Sequence, residues 1–257
     1  MQTIDEQACR KRFQELSRRA DNRGIMLFTN FLSLYEQEIL QSTKDMPAGI
    51  SFRLEGGYAQ AERRIAIFLP EFLKNTEIKL PFQRLAIQNR NPIFAQALTH
   101  RDYLGALLHL GIERKCFGDI LLFPEQEEYQ AVVFLDQRIA SVTEEALTKV
   151  KNTPVRCFLM DDSEFSYTPA YEEISGSVSS IRLDALISLA FHTSRSSLNH
   201  LIPSGKVFLN GRMVLQNHQA VKENDLISVR GYGKFSFAGA MEKSRKGRIF
   251  VKIKKYC

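Results

Sequence analysis

Apolar residues recur at three- and four-residue spacing near the start of the chain, at Phe13, Leu16 and Ala20, then at Phe28, Phe31, Leu32, Leu34, Tyr35 and Ile39. That period predicts two helices within residues 1–45, broken at Asp21-Asn22-Arg23-Gly24 and closed by Pro47-Ala48-Gly49. Residues 50–54 alternate and predict a strand. Glu55-Gly56-Gly57 predicts a turn, 59–64 a short helix, and 65–69 a buried strand stopped by Pro70.

Further on, 78–87 predicts a strand, and an amphipathic helix follows Thr99 with Leu104, Leu107 and Leu108 on one face. Thr99 and Asp102 have the spacing of a capping box, and Gly111 is a natural stop. Strands are predicted over 119–123 and 129–135, a helix over 143–150, and a strand over 155–160. This β-α-β-β-α-β order resembles a ferredoxin-like or RRM-like split sheet. Residues 161–180 are polar and read as a linker or edge strand.

The last stretch has a different pattern. Leu183, Leu186, Ile187 and Ala190 predict one helix; Ser194 caps a second carrying Leu198, Leu201 and Ile202. Pro203-Ser204-Gly205 stops it. Residues 206–209 and 212–215 flank Asn210-Gly211, a strong two-residue hairpin signal. A turn over 221–225 leads to a strand over 226–230. The tail continues with Lys243, Arg245, Lys246, Arg248, Lys252, Lys254 and Lys255 around an alternation of Ile249, Val251 and Ile253. It reads as a strand with a charged face, or as an arm that orders on RNA.

Charge sharpens this division. The net charge of the 257 residues is +6, but residues 1–176 carry −4 and residues 177–257 carry +10. A basic third on an acidic body reads as a module for binding polyanions. No stretch has the ~20 apolar residues of a membrane span, and the first residues lack an apolar signal core, so a soluble cytoplasmic protein with no membrane partner is expected. Cys9, Cys116, Cys157 and Cys257 are far apart, and the five histidines form no ligand-spaced cluster. No metal and no cofactor are expected. His100-Arg101-Asp102 resembles a kinase catalytic loop but lacks the asparagine and the glycine-rich loop that go with it. Residues 230–237 partly match the RRM aromatic signature, but Lys234 and Phe235 break it.

The helix-helix-hairpin-strand order closely resembles the S4 domain, a small RNA-binding module. The residues that carry the likeness are Arg182-Leu183-Asp184, Ser194-Arg195, Ile202, Gly205, Val207, Asn210-Gly211 and Asp225. The resemblance implies that Arg182 and Arg195 contact phosphates and that Lys206 and Asn210 add contacts at the hairpin. Asp184, Ser194 and Arg212 complete the candidate RNA-binding set. Arginine suits the task because its planar fork grips phosphate oxygens in pairs. Asp184 also has a structural reading, as partner of Arg182 or of the positive helix end, and Asn210-Gly211 reads first as hairpin chemistry. Arg182-Leu183-Asp184 also resembles the catalytic segment of pseudouridine synthases, but the usual Thr-Gly-Leu does not follow.

The whole chain resembles the bacterial YlmH family. The likeness rests on residues 56–63 (GGYAQAER), 98–105 (LTHRDYLG) and 118–120 (GDI), ahead of the S4-like end. It implies an α+β protein with four parts: an N-terminal helical and α/β subdomain over 1–75, an RRM-like RNA-binding domain over 76–165, a linker or edge strand over 166–179, and an S4 domain of two helices and a small antiparallel sheet with its basic tail over 180–257. It further implies a non-enzymatic factor of ribosome-associated quality control, with the rRNA of the large subunit, tRNA and quality-control factors as partners. An RNA-modifying enzyme and an adaptor linked to cell division are the alternatives. From the residues alone, Glu62 with Arg63 and Arg64 suggests an ion pair plus an exposed contact. Arg101 and Asp102 are expected to pair, or else His100 and Arg101 face RNA or a ribosomal partner. Gly105 costs its helix roughly 1 kcal/mol relative to alanine, which points to close packing or to a contact surface.

Overall fold

The structure, a computed structural model, describes residues 5–91, 97–161, 165–194, 200–243 and 248–256. The fold is mixed α+β, and the chain divides into two compact units, Met1–Tyr167 and Thr168–Cys257. Among the described residues no helix is long and apolar enough to cross a membrane.

The first unit begins with α1 (Glu6–Arg23). Asp5 caps it by accepting from the Gln7 and Ala8 amides, and Gly24 ends it in the left-handed conformation. Cys9, Phe13, Ser17 and Ala20, four apart or nearly so, form its buried stripe. After β1 (Leu27–Phe28), α2 (Leu34–Gln41) starts later than the apolar spacing predicts. Ser33 and Glu36 form a capping box there. Phe28 is instead in strand β1, Leu32 bridges Arg64, and both belong to extended chain.

Strands β1, β2 (Ile50–Glu55) and β3 (Ile65–Pro70) make an antiparallel sheet with β3 in the centre. Every residue of β3 is buried. Ala66 and Phe68 pack with α1 and α2, while Ile65, Ile67 and Leu69 pack against Phe31, Phe82, Leu121 and Phe134. A strand covered on both faces needs an unbroken apolar run, and Ile-Ala-Ile-Phe-Leu supplies one. Each large side chain buried there contributes roughly 1.5–3 kcal/mol.

A second sheet follows in the same unit. Its strands are β4 (Phe82–Asn89), β5 (Phe117–Leu122), β6 (Ala131–Asp136), β7 (Lys149–Val150) and β8 (Thr153–Leu159), ordered β5-β6-β4-β8-β7 and antiparallel throughout. Helices α3 (His100–His109) and α4 (Gln137–Ala146) connect β4 to β5 and β6 to β7. Leu85, Ile87, Val133 and Leu135 pack with Tyr103, Leu107 and Ala140 of these helices. The helix predicted over 143–150 lies earlier in the chain. Asp136 caps α4 at its start, and Lys149 and Val150 pair with β8 across a turn in which Lys151 has φ 51°.

The second unit contains β9 (Tyr171–Val178), α5 (Leu183–Phe191), β10 (Val207–Leu209), β11 (Arg212–Met213), β12 (Leu226–Val229), β13 (Gly233–Lys243) and β14 (Ile249–Tyr256). The strands form one antiparallel sheet in the order β11-β10-β12-β13-β14-β9. Helix α5 covers one face, where Leu186, Ile187 and Ala190 meet Val207, Ile227, Phe235, Val251 and Ile253. From Ile249 on, the basic tail is therefore sheet: β14 lies between β13 and β9. The second helix predicted after Ser194 falls largely on residues 195–199, outside the described residues.

Candidate nucleic-acid interface

Arg182 is the N-cap residue of α5, and Asp184 stands in its first turn. The Arg182 guanidinium donates from Nε to Asp184 Oδ1 at 3.3 Å and from a terminal nitrogen to Oδ2 at 3.1 Å. The carboxylate thus sits at the positive end of the helix dipole and orients the arginine. The Arg182 side chain keeps 33% of its surface exposed, against 14% for Asp184. Backbone bonds pin this turn: the Leu183 amide donates to the Gln219 carbonyl at 3.0 Å, and that of Asp184 to Asn217 at 3.3 Å.

The hairpin forms at the predicted place. Leu209 pairs with Arg212, and Asn210 and Gly211 both have positive φ, 49° and 79°, as a type I′ turn requires. The Asn210 amide side chain is fully engaged: Nδ2 donates to Asp225 Oδ1 at 2.7 Å, and Oδ1 accepts from the Leu226 amide at 2.9 Å. Asp225 also accepts from the Lys222 amide at 2.7 Å. Asn210 and Asp225 are thus a latch between two turns. Lys206 and Arg212 are exposed on either side of the hairpin, and Ser194 is exposed beyond the end of α5. Arg195 lies outside the described residues, as do Arg245 and Lys246 of the tail. The structure therefore brings Arg182 to Asp184 and, separately, Asn210 to Asp225.

Elsewhere, two of the quoted blocks meet around a single carboxylate. Asp119 accepts from the Tyr58 hydroxyl at 2.9 Å, the Glu62 amide at 2.7 Å and the Arg63 amide at 3.1 Å. Those bonds explain why residues 59–64 are not the predicted helix: the amides of 62 and 63 point to a side chain. Arg63 is not an exposed contact either. It donates to the carbonyls of Phe31, Arg114 and Phe117 at 2.9–3.2 Å. Arg114 donates to Phe117 and Gly118 and lies 4.4 Å over the Phe117 ring. Gly57, at φ 89°, passes so close to Phe134 that a Cβ would stand 2.3 Å from the ring. Burial pushes the Asp119 carboxyl and the Tyr58 hydroxyl up, lowers Arg63, and brings Arg114 down to about 9. The sequence carried no signal for this convergence beyond the blocks themselves.

The third block opens α3, with Tyr103 in the core and Thr99, His100 and Arg101 exposed. Asp102 accepts from the Thr99 amide and hydroxyl, both at 2.8 Å. Its ion-pair partner is Lys151, at 2.9 Å, rather than the expected Arg101. Arg101 is exposed, and a Cβ on Gly105 would meet nothing within 4 Å, so the glycine is not explained by packing. These groups do not assemble into a reacting site. Burial pushes the Cys157 thiol up to about 12, away from the reactive thiolate. Among the described residues no group of three or more His, Cys, Asp or Glu is placed to hold a metal ion.

The family model described as "Putative RNA-binding domain in YlmH" matches residues 83–164. "Ribosome-associated protein quality control protein P2" of Bacillus subtilis (strain 168) is 30% identical over 246 residues, covering 95% of this chain and 93% of that protein. Among solved structures, "Cell division protein ylmH from Streptococcus pneumoniae" is 20% identical, covering 63% of this chain and 94% of that one, with a TM-score of 0.47.

Proposed function

The chain belongs to the YlmH family, and from that membership we propose that it is an RNA-binding protein of ribosome-associated quality control that acts by binding and positioning, not by catalysis. The observation that carries the reading is the likeness to a quality-control protein over 246 residues, a span that includes both units. The ligands proposed are the rRNA of the large ribosomal subunit and tRNA, in the cytoplasm, with quality-control factors as neighbours on the ribosome.

The basic second unit supplies the affinity. Its helix, hairpin and sheet support an S4 domain over 180–257, preceded by a linker or edge strand over 166–179. Arg182, Arg195, Lys206 and Arg212 are proposed to meet phosphates, Ser194 to add a contact, Asp184 to aim Arg182, and Asn210 to shape the hairpin. Structured RNA is read largely through phosphates and 2′-hydroxyls, which this set suits. Residues 76–165, with two helices on one face of a β5-β6-β4-β8 sheet, support an RRM-like domain, and residues 1–75 form the subdomain before it. An RRM stacks bases on its open sheet face. Here that face holds Phe82 and Phe134, packed against Ile65, Ile67 and Leu69. Any RNA contact by this domain is therefore assigned to its helices and loops.

Gradient co-sedimentation with isolated large subunits at two salt concentrations tests the proposal. The full chain should travel with the subunit and be released by salt, since each phosphate contact frees counterions. Arg182→Glu with Arg195→Glu should lower binding at least tenfold while the far-UV spectrum stays unchanged. Equal binding by the double variant would show that another surface carries recognition.

A further inference from the structure

The face of the second unit's sheet that α5 does not cover has a composition of its own. Alternation along the strands sends Val207, Ile227, Val229, Phe235, Val251 and Ile253 into the core with α5, so their neighbours point the other way. Strand register then lines up Phe208 with Ser228, Ser228 with Lys234, and Tyr256 with Tyr171. Two lysines lie against two of the rings: Lys234 is 5.0 Å from the Tyr256 centroid and Lys254 is 4.8 Å from Tyr171. Arg230 lies 4.9 Å from Phe208, which is itself buried at 7% exposure and offers no free ring face. Further along the same face stand Lys252 and Phe250, register partners of Ser175 and Ser177. Tyr171 and Phe250 are 41% and 47% exposed. Among the described residues, carboxylates nearby include Glu173, opposite Lys254 in register, and Glu223, close to Gly239.

We infer that this outer sheet face is a second nucleic-acid site, one that takes a single-stranded RNA segment. The inference rests on the RNA-binding reading above but on different residues. Cationic and aromatic side chains run from Arg230 at the end of β12 to Tyr171 on β9, three strand spacings or roughly 14 Å, enough to follow a short run of nucleotides. The charge is complementary to a polyanion: Arg230, Lys234, Lys252 and Lys254 outnumber Glu173 and Glu223. The rings add what a purely electrostatic patch lacks, flat surfaces on which unpaired bases stack. Bases inside a duplex cannot reach such rings, so the site selects single strands. A surface cation–ring pair is weaker than base stacking. On binding, each lysine moves from its ring to a phosphate and a base takes the ring face.

The test uses the full chain and a 5′-fluorescein twelve-nucleotide oligouridylate, read by fluorescence anisotropy, with large-subunit co-sedimentation run beside it. Tyr171→Ala with Tyr256→Ala should weaken oligonucleotide binding by roughly 5- to 150-fold for each ring that stacks a base. Tyr171→Phe with Tyr256→Phe should retain it, and both variants should still sediment with the subunit. Should the alanine variant fail to fold, Lys234→Gln with Lys254→Gln provides the second arm. It should reduce the slope of log affinity against log salt by about 1.4. Unchanged oligonucleotide affinity in the alanine variant overturns the site. So does a wild-type protein that binds the subunit but not the oligonucleotide, a result that leaves the ribosomal reading intact. Competition by oligoglutamate as strong as by unlabelled oligouridylate also overturns it, because the face would then read charge alone. Loss of subunit binding in Arg182→Glu with oligonucleotide binding kept would separate the two faces and support both.

Discussion

The two units each place arginine and aspartate in one network and use them differently. In the first unit Arg63 and Arg114 are partly buried and give their hydrogen bonds to backbone carbonyls, while Asp119 collects a tyrosine hydroxyl and two amides. In the second unit Arg182 meets Asp184 at the start of a helix and keeps a third of its surface exposed. The first arrangement closes loops that no regular ladder satisfies. The second holds a cation ready at the surface. Burial separates the roles: a desolvated charge must have partners, and once it has them it is structural. An acidic first unit and a basic second one fit this division, since the excess of positive charge lies where RNA is proposed to bind.

Asp119→Ala should sharpen that contrast most. It would strand the Tyr58 hydroxyl and the amides of Glu62 and Arg63 without an acceptor and remove one of the carboxylates that offset the desolvation of Arg63 and Arg114. A loss of about 2–4 kcal/mol is expected for the first unit. Hydrogen exchange read by mass spectrometry should localise it, with residues 58–64 and 114–119 losing protection and the second unit unchanged. Protection that survives the substitution would remove Asp119 from the centre of the network.

Asp184→Ala is the matching change on the other side. A partly exposed pair and one favourable helix-dipole contact are together worth about 1 kcal/mol. Urea unfolding should therefore show a loss of no more than half that caused by Asp119→Ala. An equal loss would mean that Arg182 and Asp184 are as structural as the buried network, and the functional distinction between the units would fail.

How far this was legible in the sequence follows the same line. Local patterns were readable: the continuous apolar run of β3, the Asn210-Gly211 turn, and the Thr99–Asp102 helix start each depend on residues within a few positions. The late start of α2 was readable too, from Ser33 and Glu36, but Phe28, Phe31 and Leu32 extend the helical spacing and hide it. The Asp119 network was not readable, because Glu62 lies 57 positions away and no periodicity links a loop to a strand that distant. In the candidate interface, the sequence pointed to Asn210 as an RNA contact and as turn chemistry. The structure shows both ends of its amide committed to Asp225 and Leu226.

A last comparison stays within the first unit and sets hydrogen bonding against desolvation. Asp102 belongs to the first unit, like Asp119, but its carboxyl, 8% exposed, meets a half-exposed lysine. Hydrogen bonding from Lys151, then from Thr99, pulls its carboxyl down to about 2. Burial pushes Asp119 the other way. The signs follow from linkage. An aspartate whose folded value is below the ordinary ~3.9 adds stability above about pH 4 and loses it as pH falls towards 2. One whose folded value is raised favours the protonated form, so its contribution grows as pH falls through that raised value. Lys151→Ala should therefore cost a small, constant amount of stability between about pH 5 and 7, and the gap from wild type should narrow from about pH 4 to 2. Paired urea titrations across that range, repeated in 1 M salt where the gap should also shrink, decide the matter. A gap that persists at pH 2 would show that Lys151 acts through packing of its stem, and that its hydrogen bond does not hold the Asp102 carboxyl down.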